Sequence, residues 1–118
     1  MNMKNARIIK NGVTITQNAQ IANTFFSRFR GLMFRKTIPD DYALQIKPCN
    51  QIHMLNMRFA IDVVYLSRDG RVVKVDENVQ PGKICKTVKE AESVIEMKSY
   101  AASKFGISVD DTLEIHVM

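Results

Sequence analysis

An Asn-Gly pair at positions 11 and 12 separates Ile8-Ile9 from the alternating run Val13-Thr14-Ile15-Thr16. A type I′ turn needs positive φ at both central residues, and Asn-Gly supplies it at little cost. With apolar residues on both sides, the chain is expected to open as an antiparallel β-hairpin. The same strand grammar recurs downstream. Tyr42, Leu44 and Ile46 alternate with Ala43, Gln45 and Lys47, which reads as a half-buried strand. Ile61 to Leu66 is almost continuously apolar and rich in Val and Ile, so it reads as a central strand covered on both faces. Arg68-Asp69-Gly70 is a turn, Arg71 to Val75 returns as the partner strand, and Pro81-Gly82 marks a further turn.

Two segments carry helical signals. Asn23 or Thr24 can cap a short helix in which Phe25, Phe26, Phe29, Leu32 and Met33 recur at helical spacing, and Gly31 ends or turns it. Between Val88 and Gly106, Val88, Ala91, Ile95, Ala102 and Phe105 could line a helix, but Val94 and Ile95 are β-branched, so Ser93 to Met97 is preferred as a strand. Ser99 to Phe105 then reads as a short helix with Ser99 as its N-cap, stopping at Gly106. Thr112 to Val117 closes the chain as a strand. The expected fold is mainly β, a β-rich α+β arrangement. It is a compact sandwich- or barrel-like domain of six to seven short, mostly antiparallel strands with one or two short helices.

The 118 residues suit a single domain spanning 1–118. At 46% apolar and 25% charged, the chain can bury a core without a metal or disulfide. No apolar run approaches the ~20 residues of a membrane span, and the mixed, polar first ten residues carry no secretory core. The expected location is the cytoplasm. There Cys49 and Cys85, far apart in sequence, are expected as thiols rather than a bridge. A net charge of +5 weakly favours anionic partners.

The chemically richest segment runs from Pro48 to Asp62. Within it, Cys49 and His53 could form a nucleophile and its base, because a nearby imidazole favours the thiolate. Four residues bring two side chains together on a helix but not along a strand. The bland account is a buried Cys and a His bonded to backbone. Cys49, His53, Cys85 and His116 could together supply four zinc ligands, but no CxxC or HxxxH spacing arranges them. Neither a metal nor a cofactor is expected. Met33, Met54 and Met57 read as core packing rather than copper ligands.

Asp62 enters an apolar strand, where an unpaired carboxylate is costly to bury. It either meets solvent at the strand entrance or has a partner. Arg58 lies about 13 Å away along an extended chain, and an arginine from 27–36 is an equal candidate. The favoured account is an ion pair or a cap on backbone amides. The stretch Ser27 to Lys36 holds Arg28, Arg30, Arg35 and Lys36 without an acid, interleaved with Phe29 and Phe34. Such a stretch could grip phosphates and stack bases. The preferred reading is an amphipathic helix with its phenylalanines in the core and its arginines solvated. Asp40-Asp41 and Asp110-Asp111 read as loop carboxylates.

Arg28, Gly31-Leu32-Met33, Arg35, Pro48-Cys49, Ile52-His53, Met57-Arg58-Phe59, Ile61-Asp62-Val63-Val64 and Asp69-Gly70-Arg71-Val72-Val73 occur in an order and spacing that resembles the domain-of-unknown-function 192 family. A weaker likeness continues through Val94-Ile95-Glu96, Ala102, Lys104, Gly106-Ile107 and Asp111. The resemblance implies a compact, mainly β domain with short helices and no established biochemical activity. It implies a cluster at Arg28, Gly31, Met33, Arg35, Asn56 and Asp62 whose role is unassigned. One branch carries the Cys and His seen at Cys49 and His53, while other members place an aromatic at position 53. Here Ala60 replaces a usual proline, and Tyr100 and Asp110 stand where glycine is frequent. Many relatives look exported, whereas no leader is expected for this chain.

The expected function is a non-catalytic ligand-binding or interaction module with its site around Pro48 to Asp62. Its binding residues are drawn from Arg28, Arg35, Cys49, His53, Asn56, Arg58 and Asp62, and its partner is a small molecule or protein. One alternative is a hydrolase or transferase using Cys49 as nucleophile, His53 as base and Asn56 or Asp62 as orienting group. The other is RNA or nucleic-acid binding through Ser27 to Lys36.

Overall fold

A computed structural model describes residues 3–118. Seven strands form one sheet in the order β5-β4-β6-β3-β2-β1-β7. They are β1 (Lys4–Lys10), β2 (Val13–Ala22), β3 (Ala43–Ile46), β4 (Ile61–Leu66), β5 (Val72–Val79), β6 (Ser93–Lys98) and β7 (Leu113–Val117). Two short helices, α1 (Phe25–Arg30) and α2 (Ala101–Lys104), complete the set among the described residues. The β-rich expectation holds, and every strand pairing is antiparallel except β2 with β3.

The opening hairpin turns at Asn11 (φ 53°) and Gly12 (φ 75°), with Lys10 opposite Val13. The parallel β2–β3 pair cannot be joined by a tight turn and needs a long crossover. That crossover, residues 23–42, carries α1 over one face of the sheet. At the other end the sheet curls until its two edge strands meet. Arg71 bridges Thr112, the Leu113 N–H donates to the Gly70 carbonyl at 2.9 Å, and Val72 N–H donates to Asp111 at 2.7 Å. Gly70 (φ 84°) permits this closure, because a Cβ there would stand 2.5 Å from the Leu113 carbonyl oxygen. The result is barrel-like.

Each face of the sheet has its own apolar cluster. Leu44, Ile46, Val63, Tyr65 and Val94 meet Leu32, Ile52, Met54 and Met57 from the covering loops on one face. Val64, Leu66, Ile95, Met97, Ile8 and Ile21 meet Ala101 and Ala102 of α2 on the other. All six residues of β4 are buried, as its almost continuous apolar run implies.

Three local expectations are corrected. The strand at 42–47 was expected to be half-buried, but β3 is buried at all four positions because β2 and β6 flank it and both faces are covered. Ser99 does not cap α2. Its hydroxyl bonds Asn78 Oδ1 at 2.9 Å, and the N-cap is Tyr100 in a left-handed conformation (φ 66°). The phenylalanines of α1 do not face the core. Phe25, Phe26, Phe29 and Phe34 are all exposed, and the buried residue of α1 is Ser27. A reciprocal capping box explains the orientation: Thr24 Oγ1 accepts from Ser27 N–H and Ser27 Oγ accepts from Thr24 N–H. The helix stops after six residues, so Leu32 and Met33 reach the core from the turn beyond it.

Candidate functional site

The site forms where α1 and its following turn lie over β3 and β6. Gly31 closes α1 with φ 48° and ψ −124°, and its N–H donates to the Ser27 carbonyl at 3.0 Å. Beneath it lies Glu96, in the middle of β6 between Leu44 of β3 and Val63 of β4. Glu96 is 4% exposed, and its Oε1 has no hydrogen-bond partner. A Cβ on Gly31 would come within 3.2 Å of that oxygen. Burial pushes the Glu96 carboxyl up to about 7, against the opposing pull of the Arg35 charge.

A cavity of about 40 Å³ surrounds this carboxyl, lined among others by Arg28, Gly31, Ile46, Cys49 and His53. Arg28 donates from Nη1 to the Pro48 carbonyl at 3.0 Å, while its buried Nε has no partner. The Cys49 thiol donates to the Gln51 carbonyl at 3.2 Å. Burial raises its pKa above the ordinary thiol value, offset in part by the Gln51 contact, and the Glu96 charge adds to the rise. Cys49 is therefore held as a neutral thiol at neutral pH. The His53 ring accepts at Nδ1 from the Leu55 N–H at 3.3 Å and packs against Phe29, with ring centroids 6.2 Å apart. Phe25, Phe29 and Pro48 form an open mouth above the cavity.

The remaining residues named from sequence fall elsewhere or act through backbone. Arg35 lies over the Tyr42 ring, 5.1 Å from its centroid, and within electrostatic reach of Glu96. Asn56 is exposed, in a left-handed conformation (φ 59°), and its carbonyl accepts from Phe34 N–H at 3.0 Å. Arg58 is exposed. Asp62 is fully buried, and its Oδ1 accepts from Asn78 N–H at 2.9 Å and its Oδ2 from Ala102 N–H at 3.1 Å. It clamps an irregularity in β5 and the start of α2, on the sheet face away from Cys49 and His53. Its partners are backbone amides, not Arg58.

Cys49 and Cys85 are both free thiols. Cys85 is buried in the core, and His116 sits on β7 beside Glu114 at 3.3 Å. Among the described residues no three His, Cys, Asp or Glu side chains converge as metal ligands. A wider cavity of about 450 Å³ opens near the β-turn at Arg68 to Gly70. Its buried polar residues, Gln45 and Ser93, satisfy each other at 3.1 Å, in contrast to the unpartnered Glu96 oxygen.

Sequence reasoning missed Glu96 as a site residue. The available signal was the one used for Asp62: a lone carboxylate inside an apolar strand, here between Ile95 and Met97.

Fold and site together define a small module: a curled seven-stranded sheet with a buried carboxyl beneath a short crossover helix. The chain belongs to the DUF192 family, described as Uncharacterized ACR, whose model matches residues 6–115. A UPF0127 protein of Pyrococcus furiosus is 29% identical over 111 residues, covering 90% of this chain and 93% of the relative. Two solved structures share the fold. A Sinorhizobium meliloti protein, named as a candidate transcription regulator, superposes with a TM-score of 0.78 at 21% identity, over 97% of this chain and 94% of that one. A Novosphingobium aromaticivorans protein of unknown function gives 0.79 at 20%, over 95% and 84%. No helix of the described residues is long and apolar enough to cross a membrane.

Proposed function

We propose that this chain is a non-catalytic binding module whose site is the Glu96 cavity, and that it takes the carboxylate or equivalent oxygen-acid head group of a small ligand. The observation that carries the reading is a buried carboxyl oxygen without a partner, in a cavity also lined by Arg28, whose buried Nε is equally unpartnered. Two unsatisfied buried polar groups beside one void are costly unless something occupies it. A protonated Glu96 donates one O–H, and Arg28 Nε donates an N–H. A carboxylate accepts both, in the manner of an acid–carboxylate pair backed by a guanidinium. The void has room for about three water-sized groups, the scale of such a head group. The rest of the ligand would lie in the mouth, against Phe25, Phe29 and His53.

The groups facing Glu96 are Arg28 from α1, Arg35 and Tyr42 from the crossover, and Cys49 and His53 from the following loop. The two guanidiniums favour an anion over a cation. The Cys49 thiol, bonded to a carbonyl and raised in pKa, argues against the hydrolase or transferase alternative.

The test is a titration with acetate, and separately with methylammonium, following the backbone amide resonances of Gly31, Cys49 and Glu96. Acetate should shift them, and more strongly at about pH 6 than at about pH 8, because deprotonating Glu96 replaces a donor with a repelling charge. Silence with acetate, or a response to methylammonium alone, would overturn the reading.

A further inference from the structure

The sequence pattern of Phe25, Phe26 and Phe29 points inward, yet these rings are 69%, 72% and 61% exposed, and Phe34 is 55% exposed. Phe34 is also held at φ 68°, a conformation costly for a bulky side chain. Its N–H donates to the Asn56 carbonyl, which brings it beside Leu55, itself 45% exposed. His53, packed on Phe29, pairs across an isolated bridge with Ile84, which is 63% exposed. Six large apolar side chains thus share one exterior region. Isolated exposed apolar residues are normal on a protein surface, but a contiguous patch is not.

Charge singles out the same region. Three segments cover this face: 23–39, 47–60 and 80–89. Backbone hydrogen bonds stitch them together, from Phe34 to Asn56, Met54 to Lys83, Cys85 to Ile52 and Val88 to Asn50. Together they hold nine Lys and Arg and no Asp or Glu. The rest of the chain keeps eight Lys and Arg against all twelve acids. Positive charge is therefore concentrated in these segments, which carry the phenylalanines, with Glu90 and Glu92 at their border beside Arg28, Pro48 and Asn50.

We infer that this face is a peripheral docking surface for an anionic lipid bilayer. Aromatic and aliphatic side chains enter the headgroup region while a rim including Arg30, Lys36, Lys83 and Lys86 meets lipid phosphates. A second copy of the chain is disfavoured, because a two-fold contact sets this predominantly cationic face against itself. Single-stranded nucleic acid would use the rings for stacking, but Leu55 and Ile84 offer no π-face for a base. A phenylalanine groove lined by Phe26, Phe29, Arg30, Met33 and Phe34 offers almost no polar surface, which suits acyl chains with a cation at their rim rather than a directional partner.

The experiment compares cosedimentation of the protein with phosphatidylcholine vesicles and with vesicles that also contain phosphatidylglycerol. Binding should require phosphatidylglycerol and weaken with salt. The double variant Phe26→Gln/Phe34→Gly should lower it by roughly tenfold or more. Lys36→Gln and Lys83→Gln should each lower it by about fivefold. Folding is not at stake in the double variant, because Phe26 is exposed and glycine accepts the Phe34 backbone without strain. Neither residue lines the Glu96 cavity, so acetate titration of the same variant separates this inference from the binding proposal. Vesicle binding unchanged in the double variant, or absent from wild type, overturns the inference. So does phenylalanine-dependent binding of oligouridylate or self-association in place of vesicle binding.

Discussion

Asp62 and Glu96, two buried carboxyls on adjacent strands, point to opposite faces of one sheet. In the antiparallel β4–β6 ladder Asp62 stands opposite Met97 and Glu96 opposite Val63, and alternation along each strand sends the two side chains apart. Their environments differ accordingly. Asp62 has a backbone N–H on each oxygen, whereas Glu96 keeps one oxygen free beside a void. One carboxyl holds the fold together, and the other is available to a ligand.

Glu96 makes stability fall as pH rises. The folded carboxyl, at about 7, lies above its ordinary 4.5, so the folded chain binds more protons than the unfolded chain between those values. Its contribution is greatest below pH 4.5 and is lost as pH climbs through 7, a change on the order of 3 kcal/mol. Glu96→Gln should flatten that part of the profile. Urea midpoints across this range provide the measurement, and parallel profiles for the two proteins would refute the assignment.

Asp62→Ala should be the most damaging carboxyl substitution. It orphans the Asn78 and Ala102 N–H groups in a buried setting, at roughly 2–5 kcal/mol in total. Acetate titration of the folded variant should nevertheless match wild type, since Asp62 is absent from the Glu96 cavity. A variant that folds well but loses the acetate response would contradict this division of roles.

Gly31→Ala joins backbone strain to a steric conflict. The new Cβ must accept φ 48° while lying 3.2 Å from Glu96 Oε1 and 3.4 Å from Ile46 Cδ1. A loss of about 1–3 kcal/mol is expected in denaturant unfolding, together with a weaker acetate response. Wild-type stability would mean that the turn relaxes freely.

Cys49 should react with iodoacetamide more slowly than an unhindered thiol at near-neutral pH, because burial and the Glu96 charge both oppose its thiolate. Glu96→Gln should speed the reaction by removing that charge. Alkylation monitored by mass spectrometry at the Cys49 peptide reads both effects, and a fast wild-type reaction would restore the nucleophile hypothesis.

Tyr100→Gly should stabilise the protein by up to about 1 kcal/mol, since the left-handed N-cap of α2 carries a strained, 53%-exposed tyrosine. Thermal unfolding gives the sign directly, and a destabilised variant would mean that the ring's contacts outweigh the strain.

Residues whose requirement is local were legible in the chain. Asn11-Gly12 announces positive φ at a hairpin, and β4 advertises burial on both faces through six consecutive residues, five of them apolar. Gly31 marks the end of α1, and the resemblance flagged Tyr100 and Asp110, which both adopt positive φ. Cys49 and His53 line one cavity through a loop, an arrangement that their four-residue spacing left open between helix and strand.

The site's floor was not. Glu96 is read in sequence as one polar residue in a short strand, and only pairing with β3 and β4, from distant parts of the chain, removes it from water. The same holds for the phenylalanines. Their spacing describes a helical stripe, but which side of a six-residue helix meets the sheet is set by the Thr24–Ser27 cap and by Arg28 reaching Pro48. Local backbone preferences were therefore written in the sequence, as was the β-rich class they add up to. The face each carboxyl and each ring occupies was decided by the tertiary structure, because burial is a property of the neighbours a residue acquires when distant strands pair.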